Sequence, residues 1–182
     1  DNERVTTSFR ENPAANPESS LTGSYYECNP VDADWVVGDA SMWMFEGSGF
    51  RNGEKIAHMV GNEYDRVNPS VPTPANIQIL AHSPVTCRGN ASFADTTWYS
   101  APSGAGVFTA ATFLWSPKML DACPPDPPTT PVCKLQKVTL NLVTAFAKGP
   151  AGAAHPSVSN LARFGIPPPR VTTPSTVAPA TN

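Results

Sequence analysis

A chain of 182 residues with 12 Lys and Arg against 15 Asp and Glu has a formal charge of −3, and its pI near 5.5 leaves no basic field for a nucleic acid. The length suffices for one domain with a real core plus appendages, although only 15% of residues are charged and 21 are proline. No stretch approaches the roughly 18 uninterrupted apolar residues of a membrane-spanning helix.

The first twenty residues are polar, with Val5 and Phe9 as isolated large apolar side chains, and read as an extended arm over 1–20. With no Met at the start and no signal peptide, the chain reads as a mature or excised piece. Structure is expected to begin with the apolar–aromatic patch 21–26, and Trp35-Val36-Val37 forms a short strand bounded by Asp34 and Gly38. Residues 42–65 follow, with Trp43 and Phe45 for burial, Gly47, Gly49 and Gly53 for turns, and an apolar patch from Ile56 to Val60. The patch delivers the chain to Gly61-Asn62-Glu63-Tyr64-Asp65. A glycine there marks either a backbone that must approach something closely or an ordinary anchored turn.

Three prolines within 66–76 forbid a regular element, after which Ile77–Ala81 reads as a strand. Residues 83–92 turn the chain, and Thr96–Ser100 supplies the partner strand. The apolar segment 106–115 reads as one long strand covered on both faces. A helix is expected over 131–148, capped by Thr130, with Pro131 in its first turn and Gly149-Pro150 beyond its end. Leu135, Val138, Leu142, Ala145 and Phe146 form its buried stripe. Strands followed by a helix able to cover them give an α/β class: a small mixed sheet, a C-terminal covering helix and long irregular segments. The domain spans 21–149 and a Pro/Thr-rich tail spans 150–182, within which Leu161, Phe164 and Ile166 can dock as an extended strap.

Four cysteines allow three pairings. Cys123 and Cys133 flank a stiff proline-rich loop suited to a local bridge, which leaves Cys28 with Cys87 as a long-range staple. Free buried thiols are the alternative. The even count, the few lysines and the Asn90-Ala91-Ser92 triplet suit an extracytoplasmic, secreted or cell-surface setting. His58, His82 and His155 carry no motif and read as structural or exposed, and no nucleotide-binding or nucleophile-elbow pattern occurs. What remains is Glu63 and Asp65. Two residues apart, they share a face of an extended backbone while Tyr64 points away, as oxygen ligands for a hard metal or as a solvated loop.

The stretch from Trp35 onward resembles the C-terminal region of the N,N-dimethylformamidase large (beta) subunit and its relatives. Trp43, Phe45, Gly47, Gly49, Gly53, Ile56, Val60, Gly61, Glu63 and Asp65 carry the first part of the likeness. Ser83-Pro84 and the run from Tyr99 through Ser103-Gly104-Ala105, Val107-Phe108 and Thr112 to Trp115-Ser116 carry the second. The chain departs from the pattern at Ser48, Asn62 and Ala111, where Thr, an aromatic and Gly are usual. The resemblance implies part of a flavodoxin-like layer related to glutamine-amidotransferase-like domains. It also implies hydrolysis of small amides with an iron held by two tyrosines and a glutamate. On this chain it makes Glu63 and Asp65 the candidate catalytic carboxylates and Glu63 the candidate metal ligand. The tyrosines are expected on a partner chain carrying the N-terminal part of the fold; a homo-oligomer is the other arrangement. Two functions stand side by side: a portion of an extracytoplasmic amide hydrolase, and a non-catalytic structural or interaction module of a cell-surface or filament assembly.

Overall fold

The computed structural model describes residues 9–12, 14–123 and 128–169. Residues 1–8 of the expected arm, residues 124–127 of the cysteine-flanked loop and the tail from 170 lie outside them. One helical turn, α1 (Ser19–Thr22), leads into β1 (Tyr25–Val36), which pairs antiparallel with β2 (Lys55–Arg66). A second antiparallel sheet holds β3 (Gln78–Cys87), β4 (Asn90–Ser100) and β5 (Gly106–Thr109) in that order. The helices α2 (Trp115–Lys118), α3 (Pro131–Ala147) and α4 (Ala151–Ala154) follow. The fold is thus mixed α/β with a C-terminal covering helix. Its strands form two antiparallel sheets, and the parallel pairing on which a flavodoxin-like layer rests is absent among the described residues.

The strands run longer than local patterning indicates. Trp35 and Val36, with Val37 just beyond, become the end of a twelve-residue β1, whose acidic side chains find cross-strand partners: Glu27 with Arg66, Asp32 with His58, Asp34 with Lys55. The register shifts between Cys28 and Val31, around Pro30, which has no N–H to give to a ladder. Gly61 to Asp65 is no corner but the second half of β2. The glycine is required by a close approach, since a Cβ there would stand 2.9 Å from the Val31 carbonyl oxygen of β1. The expected turn over 83–92 shrinks to Arg88-Gly89. Both residues have positive φ (50° and 81°), so the hairpin twist matches that of its strands.

The long strand expected over 106–115 stops at Thr109. Ala111 adopts a φ of 60°, and the Thr112 hydroxyl takes over what a ladder would do. It accepts the Gly61 N–H at 3.2 Å and the Leu114 N–H at 3.1 Å, and lies 2.7 Å from the Met59 carbonyl oxygen. Two seams join the sheets. At one, Val37 bridges Ala81 while the Leu80 carbonyl accepts the N–H groups of Gly38 and Asp39. At the other, the Asp65 N–H reaches the Ala111 carbonyl at 3.4 Å, and the Phe113 N–H reaches that of Gly61 at 3.2 Å. The sheets close around a core that includes Trp35, Met44, Met59, Leu80, Trp98 and Leu135. The one polar atom of Trp35 donates to Thr96 Oγ1 at 2.8 Å.

In α3 the Thr130 hydroxyl accepts the Cys133 N–H, and Pro131 takes the first turn. Leu135, Val138 and Leu142 are buried as expected, but Phe146 is 44% exposed at the frayed end of the stripe. Cys28 is bonded to Cys87, tying β1 to the end of β3, and Cys123 to Cys133. Residues beyond α3 also dock. Leu161 packs with Val67, Ile77, Ile79 and Tyr99, flanked by Phe164 and Ile166. The segment is not extended: it winds through α4 and a 3-10 turn, Leu161–Phe164. Asn160 holds both the N–H and the carbonyl of Ile79, so its amide stands in for a neighbouring strand.

Candidate functional site

A cleft of about 390 Å³ lies at the second seam, where the chain leaves β5 and crosses the end of β2. Its walls are Tyr26 of β1, Glu63 and Asp65 of β2, and residues 109–113. Side-chain alternation builds it. Tyr26 stands directly opposite Asp65 in the β1–β2 register, and Glu63, two residues before Asp65, projects to the same side. The intervening Tyr64 points the other way, into a second cleft of about 310 Å³ beside the Cys28–Cys87 bridge. The structure therefore brings Glu63 and Asp65 together in one cavity. Tyr26 carries no sequence signal for this cleft, because it falls in an apolar–aromatic patch whose pairing with β2 is not local, and neither do residues 109–113, whose composition suits a strand interior.

The two clefts differ electrostatically. Burial pushes the Asp65 carboxyl up to about 6, and the negative charges of Glu18 and Glu63 add to that rise while Arg10 opposes it. No described residue donates a hydrogen bond to its carboxylate. Arg10 is itself engaged: it forms a two-point ion pair with Glu18, donates to the Tyr26 carbonyl at 3.0 Å and lies 3.8 Å over the Tyr25 ring. The hydrogen bond from Arg10 in turn holds Glu18 below the usual carboxylate range.

In the second cleft Glu27 receives the hydroxyls of Ser92 and Tyr64, each at 2.5 Å, and Arg66 Nη1 at 3.1 Å. Burial pushes Glu27 up, but these donors outweigh it and keep the group ionised below its ordinary value. Glu27 is thus a satisfied carboxylate, and Asp65 is not.

The histidines lie elsewhere. His58 pairs with Asp32 at 2.9 Å on the surface, which raises its pKa; His155 stacks on Trp43 at 3.9 Å. His82 meets the buried Asp95 at 2.6 Å beneath the Phe93 ring, while Asp95 also accepts the Val67 N–H at 2.8 Å. None of the three lines the Glu63–Asp65 cleft.

An iron held by two tyrosines and a glutamate does not fit these residues. Each cleft is lined by one tyrosine, Tyr26 or Tyr64, and the Tyr64 hydroxyl is committed to Glu27. The Tyr99 hydroxyl donates to the Leu21 carbonyl. Among the described residues no three His, Cys, Asp or Glu side chains form a metal-holding group.

Residues 1–126 match the family model described as N,N-dimethylformamidase beta subunit-like, C-terminal. The match takes in both sheets and the whole Glu63–Asp65 cleft and ends before α3. No curated protein matches the chain.

Proposed function

We propose, from the premise that the chain belongs to the N,N-dimethylformamidase beta subunit-like C-terminal family, that it is the C-terminal portion of an extracytoplasmic hydrolase of small amides. A partner chain carrying the rest of the fold completes it. The observation that supports this reading is the carboxyl pair in the seam cleft. Asp65, with its affinity for a proton raised to about pH 6, stands on the same face as Glu63. Hydrolysis of an amide needs a water stripped of a proton and a proton delivered to the departing nitrogen, because an amide anion does not leave. A carboxyl that exchanges its proton near pH 6 suits the second task, and the Glu63 side chain beside it is placed for the first. Two disulfides are in keeping with an oxidising compartment, and no described helix is long and apolar enough to cross a membrane.

A second reading, a non-catalytic assembly module, draws support from the outer face of α3. Leu140 and Val143 are each 58% exposed there, beyond the matched residues. Amine release from N,N-dimethylformamide by the complex with the partner chain separates the two. On the hydrolase reading, Asp65→Asn and Glu63→Gln leave the complex intact and lower kcat by about 10²-fold or more. Turnover at the wild-type rate in both variants would overturn the hydrolase reading.

A further inference from the structure

We infer that Asn90 is a site of N-linked glycosylation, taking an oligosaccharide from a lipid-linked diphosphate donor. Asn90-Ala91-Ser92 is an acceptor triplet, and a triplet alone occurs often by chance. What raises it above chance is its place. Asn90 is the first residue of β4, immediately after the two-residue Arg88-Gly89 turn at the tip of the β3–β4 hairpin. Asn90 and Ala91 are both exposed. The Asn90 carboxamide makes no hydrogen bond with any described residue, so substituting it removes no native hydrogen bond among them. Asn90 and Ser92 project to the same side of an extended backbone, with hydroxyl and carboxamide side by side. The other Asn-x-Ser triplet, Asn68-Pro69-Ser70, has proline at its centre and is excluded by that residue.

The timing also follows. In the folded chain the Ser92 hydroxyl is held by Glu27 at 2.5 Å and approached by Arg66 at 3.2 Å. Transfer therefore belongs to the chain before β1 and β4 come together, ahead of closure of the Cys28–Cys87 bridge. The bond formed joins Asn90 Nδ2 to the anomeric carbon of the first sugar. The bond broken is that carbon's link to the donor's diphosphate oxygen. The carboxamide gives up one proton, and the lipid diphosphate leaves with the bonding electron pair. The sugar would then stand at the rim of the Glu27–Tyr64 cleft, which Asn90 helps to line. The Glu63–Asp65 cleft, on the other side of the β1–β2 pair, stays open. This inference rests on the extracytoplasmic setting and not on amide hydrolysis, so the two fail separately.

The test is secretion of the full chain, with its partner, from a eukaryotic host. The expected product is a heavier species that collapses to the polypeptide mass on treatment with peptide N-glycosidase, with Asn90→Asp conversion in the tryptic peptide spanning 89–118. Asn90→Gln should be secreted at the wild-type level without the added mass and with any amide turnover unchanged; Ser92→Thr should keep the sugar. A secreted chain with both disulfides closed and residue 90 wholly unmodified would overturn the proposal, as would sugar found at another residue only.

Discussion

The unsatisfied carboxyl at Asp65 makes a pH-dependent prediction that its neighbours do not. A rise from the ordinary 3.8 to about 6 means that the folded chain holds this proton more tightly than the unfolded chain. The stabilisation it brings is complete below about pH 4 and is lost as pH climbs from 4 to 6; above that the folded state carries a partly buried charge to which no described residue donates a hydrogen bond. At about 1.4 kcal/mol for each tenfold step in proton affinity, the loss is about 3 kcal/mol. Asp65→Asn keeps the shape and cannot ionise, so it lacks this step. Urea unfolding of both proteins at intervals between pH 3.5 and 8 isolates it, because Glu27 and Asp39, held below the usual carboxylate range and not among the charges acting on Asp65, titrate alike in the two. The expected difference is near zero at pH 3.5 and about 3 kcal/mol in favour of the variant at pH 8. A difference that stays flat across this range, or a variant less stable than wild type at pH 8, would refute the account of the cleft.

Two further perturbations test the seam and the staple. Ala111→Gly relieves an L-residue held at a φ of 60°, and should stabilise the chain by about 1 kcal/mol, seen as a rise in Tm of about 2–4 °C; a fall in Tm would contradict it. Replacing Cys28 and Cys87 together by Ser opens a loop of 59-residue separation and should cost about 4 kcal/mol of unfolding free energy in urea titration. The corresponding change at Cys123 and Cys133, 10 apart, should cost less, and the reverse order would count against the loop-entropy argument.

How far the sequence reveals this fold depends on whether an element's evidence is local. Helix α3 is legible because its cap, its first-turn proline and its stripe at Leu135, Val138 and Leu142 all lie within one short window. Its one misplaced member, Phe146, sits at the last turn, where it keeps one ring contact, with Trp98, and stays 44% exposed. Strand β1 is illegible for the opposite reason. Its acidic residues contradict a strand pattern until Arg66, His58 and Lys55 are placed across from them, and nothing near Glu27 or Asp34 in sequence announces those partners. The break after Thr109 is hidden in the same way, because the side chain that replaces the ladder, Thr112, bonds to residues some fifty positions earlier.

The candidate site divides along that line. Glu63 and Asp65 are readable as a same-face pair because alternation is a local property of one strand. What makes the pair consequential is not local. Tyr26 comes from the strand opposite, and the wall formed by residues 109–113 arrives only because Ala111 takes a left-handed conformation and turns the chain across β2. Ala111 is the one residue of that wall whose φ favours glycine. The wall therefore places a strained residue beside a carboxyl to which no described residue donates a hydrogen bond. Two unfavourable features share one cleft, and strain and perturbed carboxyls of this kind cluster at functional sites, although structural networks produce them too. The relevant contrast is Glu27, a carboxylate on the opposite face of the same two strands, which has three donors. Arg10 lies close enough to oppose the raised pKa of Asp65, yet its hydrogen bonds go to Glu18 and the Tyr26 carbonyl instead.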